Sequence, residues 1–153
     1  MGSLLVLLHV IAAILFLGPV TFAVSTFHVR AFAAHNGDEL ARGSAAVLYK
    51  ITRTYGILSV LVPLIGFAIM FTGDYWSEGK FHISIMLSVF AWGILYFLIL
   101  PIQQRMADAL SISEGAAEFD SASFSWEKAK NHLSMFGGIF SLLWVIIAVL
   151  MIL

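Results

Sequence analysis

The sequence predicts an all-α, polytopic membrane protein: a bundle of four transmembrane helices with both termini outside. Three observations carry this. Hydrophobic residues make up 61% of the 153 residues and charged ones only 11%, against about 45–50% and about 25% in soluble domains. Mean hydropathy is +0.98, so lipid must solvate most of the surface. Four apolar runs punctuate the chain, each near the roughly 20 residues that a helix needs to cross the hydrocarbon.

The first run spans about residues 3–27. It lacks the Lys/Arg-bearing start of a signal peptide and exceeds the usual apolar core of one, so Ala23–Val24–Ser25 is expected to stay uncleaved. Gly18–Pro19 should kink this helix. The second run covers about 55–73 and contains Pro63, which removes a backbone donor and crowds the preceding turn, so a bend is expected. The third covers about 81–101 and ends at Pro101; the fourth covers about 132–153.

Connections at 28–54 and 102–131 hold Arg30, Arg42, Lys50, Arg53, Arg105, Lys128 and Lys130, whereas the short link between the second and third runs holds only Lys80. Lys and Arg favour the cytoplasmic side, so both longer connections are expected there, in the plasma membrane of a bacterium. Tyr75 and Trp76 suit the opposite interface. Asn36 or Asp38 is a candidate N-cap for a helical extension into the second span. The third helix should continue past Pro101, followed by a loop around "SEGAAEFDSAS" (113–123) and a return helix capped by Ser125. No separate soluble domain is expected within 1–153.

Function is more narrowly signalled. With no Cys the chain has no disulfide, thiolate metal site or c-type haem attachment. A net charge of −1 gives no reason to expect nucleic acid. No Asp, Glu, Lys or Arg falls inside the four runs, which argues against an ion-coupled carrier. No catalytic set and no metal-ligand spacing such as HExxH is present.

Five histidines remain. His28 and His35 belong at or beyond the end of the first span, and His132 opens the fourth. His9 and His82 lie on separate helices at similar depth. That placement is the minimum for bis-histidine haem b ligation, or for a quinone contact. The plainer reading is that His9 hydrogen-bonds a neighbouring helix, of this chain or of another subunit, and that no cofactor is bound. His9 shares a helical face with Ala12, Ala13, Phe16, Val20, Ala23 and Phe27. Ala12, Ala13, Gly66, Gly93, Gly137 and Gly138 are candidate packing sites, because small residues let membrane helices approach closely. Ser84 and Ser88 form a further small-xxx-small pair.

The stretches "LLHVIAAILFLGP", "ITRTYGILSVLVPLIGFAIM" and "LPIQQR" resemble a bacterial, in part actinobacterial, family of predicted four-helix integral membrane proteins to which no activity is attached. In size and nearly all-membrane mass the chain is also similar to accessory subunits of the actinobacterial cytochrome bcc–oxidase respiratory supercomplex. The resemblance implies a non-catalytic accessory or structural subunit of a respiratory, electron-transport complex, with other integral membrane subunits and lipids as partners. The alternative is a haem b- or quinone-binding redox protein using His9 and His82.

Overall fold

The computed structural model describes residues 2–113 and 124–153. Four helices long and apolar enough to cross a membrane run through it: α1 (Gly2–His35), α2 (Glu39–Thr72), α3 (Gly79–Ala109) and α4 (Trp126–Ile152). No strand occurs among the described residues. The helices exceed the apolar runs: 34 residues in each of α1 and α2, at about 1.5 Å per residue, are longer than a hydrocarbon core of about 30 Å requires. Helix α1 therefore continues through His28 to His35, and α3 continues past Pro101 to Ala109.

The turns are built from their own residues. Gly37, at φ +102°, lets the chain reverse after α1, and the Asp38 N–H donates to the Ala33 carbonyl at 3.1 Å. The Asp38 carboxylate then accepts from the Ala41 N–H at 3.0 Å, capping α2. Between α2 and α3, Trp76 sets its ring edge-on to Phe71 at 4.9 Å and Phe67 at 5.9 Å. After α3 the Ser113 hydroxyl bonds the Asp108 carboxylate. The Ser125 hydroxyl accepts from the Lys128 N–H at 3.4 Å, capping α4 as expected. Apart from Ser113, the loop expected at 113–123 lies outside the described residues.

Each of the three prolines deprives the carbonyl four residues earlier of its helical partner. Those carbonyls belong to Leu15, Ser59 and Phe97, and each lies in a local irregularity. Leu15 sits in a π-turn over Ala13–Leu17 and Phe97 in one over Leu95–Ile99. At Ser59–Val60 the helix α2 breaks, and the Ser59 carbonyl accepts instead from the Val62 N–H at 3.1 Å.

The bundle packs differently at its two ends. Toward the end that carries residues 36–38 and the seven basic residues, all four helices converge on one core. Val20, Val24, Phe27, Leu95, Ile99, Met106, Leu133 and Phe140 are buried there, interleaved with Ala23, Ala31, Ala45, Ala91 and Ala107. Toward the end that carries both termini, the first segment of α1 packs on the last segment of α2, and the start of α3 packs on the last turns of α4. The two pairs barely meet across the middle, and a cleft separates them.

Candidate functional site: an intramembrane cleft

The cleft encloses about 380 Å³ and takes its walls from all four helices. Val10, Ala13, Ile14 and Leu17 supply the α1 wall; Val62, Pro63, Gly66 and Met70 supply that of α2. Its lining carries no charged side chain. The polar groups that reach it are few: His9 from α1, Ser84 and Ser88 from α3, and Trp144 from α4.

Gly66 explains how an imidazole fits against α2. A Cβ on Gly66 would lie 3.0 Å from His9 Cε1, so the glycine leaves the ring its seat. His9 Nδ1 makes no close hydrogen bond, although the imidazole does address the Val62 backbone of α2. The Ser84 and Ser88 hydroxyls donate to the carbonyls of Lys80 and Ser84, both at 2.8 Å. They have therefore spent their protons within α3.

Trp144 is held by its ring. It meets Trp92 edge-on at 5.8 Å and Phe140 at 6.1 Å. Trp92 is itself fixed, because its Nε1–H donates to Ser59 Oγ at 3.1 Å and Ser59 donates to the Gly56 carbonyl at 2.7 Å. The α2 break thus orients, through Trp92, the indole that borders the cleft. Trp144 Nε1 is buried and unpartnered. Leaving such a group unmatched costs about 1–3 kcal/mol, and hydrocarbon offers no water to relieve it. Two rings that line one apolar cavity thus carry buried nitrogens without a close partner, which suits a ligand that is apolar in bulk and polar at one edge. The indole N–H can only donate, whereas His9 Nδ1 donates or accepts according to tautomer. The required complement to Trp144 is an acceptor oxygen.

His82 is placed elsewhere. It is exposed, with its ring 5.8 Å from Trp76 and Nδ1 3.3 Å from the Glu78 carbonyl oxygen, and it is not among the cleft's lining residues. Its helical neighbour Phe81 faces the cleft instead. The cavity that would have to hold a haem between the two imidazoles therefore presents only one of them. Among the described residues no group of three or more His, Cys, Asp or Glu could hold a metal ion.

The small residues divide as the bundle does. Ala12 is buried and Ala13 lines the cleft. A Cβ on Gly137 would lie 3.2 Å from the Val24 carbonyl oxygen, so α1 and α4 touch there at backbone distance. Around Gly93 and Gly138 a Cβ would meet nothing within 4 Å.

Sequence reasoning missed Trp144. The signal was present, since it is the only indole deep in the fourth run and its donor needs a partner in lipid. It also missed two buried groups at the basic end, where the continued helices pack together. His28 is buried, its Nδ1 without a close partner although the ring addresses the Val24 backbone, and Gln103 is fully buried with both amide atoms unpartnered. His35 stacks on Trp126 at 4.3 Å, and His132 lies 5.9 Å from the Phe136 ring.

No family model matches the chain, and neither a curated protein nor a solved structure does.

Proposed function

We propose that this chain is a multi-pass membrane protein that holds, without transforming it, a lipid-soluble molecule bearing an acceptor oxygen, of which a quinone head group is the model. One observation carries the reading: His9 and Trp144 line the same apolar cleft, and each has a buried ring nitrogen, His9 Nδ1 and Trp144 Nε1, with no close hydrogen-bond partner. A carbonyl oxygen set against Trp144 satisfies the indole, and the second quinone oxygen or a ring substituent meets His9. The test is tryptophan quenching by a short-tailed benzoquinone added to the purified protein in mild detergent. Trp144→Phe and His9→Leu should each weaken saturable quenching roughly three- to tenfold, the scale of one intramembrane hydrogen bond. His9→Gln, which keeps a hydrogen-bonding group, should retain most of it. Equal quenching in wild type and both variants would sink the reading.

A second reading draws on Gly93 and Gly138, whose open surroundings leave flat strips on the outer surface where helices of other subunits can seat. On this reading the chain is a non-catalytic accessory subunit of a larger complex, such as the cytochrome bcc–oxidase assembly. Co-purification of oxidase subunits from native membranes supports it, and their absence removes it. Both readings set the two basic connections in the cytoplasm of a bacterial cell and the termini outside. An impermeant thiol reagent applied to intact cells should label Ser77→Cys but spare Ser111→Cys, and labelling of the latter inverts the orientation.

A further inference from the structure

At the basic end a second concavity runs between α2 and α3. It has two compartments, of about 260 Å³ and about 640 Å³, that share Tyr49, Arg53 and Ile57 and so form one groove. Lys50 enters the larger compartment, and Leu100 walls the smaller. The Arg53 guanidinium rests over the Tyr49 ring at 5.6 Å, which holds the cation at the groove rather than free in solvent. Among the described residues neither Lys50 nor Arg53 forms an ion pair. Asp108, the one carboxylate of α3, is engaged by the Ser113 hydroxyl.

Depth gives the groove its meaning. Arg53 lies 19 residues before Thr72, where α2 ends, or about 28 Å along a helix, close to the roughly 30 Å of the hydrocarbon. If the far end of α2 marks one membrane boundary, Arg53 and Lys50 stand at the other, level with lipid phosphates. Ile57 and Leu100 then fall within the acyl zone. Cations above an apolar wall match the two parts of a phospholipid, whereas a free phosphate would use the cations alone. Basic grooves between helices at this level suit anionic head groups.

We infer that this groove binds an anionic phospholipid, its phosphate on Arg53 and Lys50 and an acyl chain along Ile57 and Leu100. The inference is independent of the cleft and its ligand. It is tested by native mass spectrometry of the full chain, delipidated in nonionic detergent and titrated with phosphatidylglycerol, with phosphatidylcholine of the same chains, or with inorganic phosphate. Phosphatidylglycerol should bind saturably and about tenfold more tightly than phosphatidylcholine. The Lys50→Gln/Arg53→Gln variant should lose about thirtyfold in that affinity, on the scale of two juxtamembrane cations. Lys50→Gln alone, which leaves the Tyr49–Arg53 contact intact, should lose about fivefold and serves if the double variant does not fold. Arg105→Gln/Lys128→Gln, at another basic corner, should stay within about twofold of wild type. Equal binding of the two lipids, an equal loss in the Arg105/Lys128 variant, or displacement of the lipid by equimolar phosphate would each overturn the inference.

Discussion

The same four helices are packed in two ways. Toward the basic end they close: Gly137 lets α4 touch the α1 backbone at Val24, alanines fill the remaining crossings, and Phe27 and Phe140 are fully buried. Toward the termini they part into two pairs around a cleft. Interior composition does not separate the halves, since the buried residues of both are predominantly apolar. Backbone continuity does so in two helices. The irregularities at Ala13–Leu17 and Ser59–Val60 lie where closed core gives way to open cleft in α1 and α2, whereas the one at Leu95–Ile99 falls within the core and α4 runs through unbroken. In lipid, helices gain no hydrophobic advantage by meeting, so close packing must be won by small residues and shape. Near Pro19 and Pro63 that complementarity ends and a cavity opens, whereas around Pro101 the core stays closed.

The largest expected contrast lies in deleting an aromatic ring from each half. Phe140→Ala empties a site enclosed on all sides and should destabilise the protein by about 3 kcal/mol, toward the low end of such changes because lipid removes part of the transfer term. Phe81→Ala widens a cleft that is already open, where a lipid or ligand can take up the space, and should cost less than about 1 kcal/mol. Reversible unfolding in one mixed-micelle system compares them directly. Equal losses would mean that the cleft is as tightly filled as the core.

A smaller contrast sets two adjacent glycines against each other. Gly137→Leu must push α4 off Val24, whose backbone oxygen cannot yield as a side chain would. An overpacking cost of about 2 kcal/mol is expected. Gly138→Leu enters open space and should leave the isolated chain's stability within about 0.5 kcal/mol of wild type. A Gly138→Leu protein that folds normally but loses a partner in a mild-detergent pull-down would add weight to the accessory-subunit reading.

These contrasts also show what the chain made legible in advance. The four spans follow from apolar run length alone, and the caps at Asp38 and Ser125 from local hydrogen-bond chemistry. Pro19 and Pro63 announced where two of the helices would deviate, whereas the π-turn before Pro101 was not expected. The form of each deviation was hidden, because whether a freed carbonyl leads to a π-turn or a break depends on neighbours from other helices. His9 was legible as a polar group facing protein. Its pairing with His82 was not a matter of depth but of rotation: at the start of α3, Phe81 takes the cleft and His82 the interface beside Trp76. His28 and Gln103 were assigned to connections because hydropathy marks where lipid ends, whereas the bundle goes on packing beyond it.

The finest test acts on the boundary itself. Ser59 Oγ accepts from Trp92 Nε1 at 3.1 Å and joins the break in α2 to α3, two helices that otherwise part above this level. Ser59→Ala removes the acceptor and strands the indole N–H. Intramembrane hydrogen bonds average about 0.6 kcal/mol, so the change in stability should be close to that value. Its effect on the cleft should be more visible than its effect on folding, because Trp92 buttresses Trp144 edge-on. Ser59→Ala should therefore alter the fluorescence of Trp144, read in a Trp76→Phe/Trp126→Phe background from the difference that Trp144→Phe makes. A double-mutant cycle with Trp92→Phe isolates the bond, since either substitution alone breaks it and the second should then cost little more. Additive losses in that cycle, with no change at Trp144, would show that the break in α2 and the open cleft are mechanically unrelated.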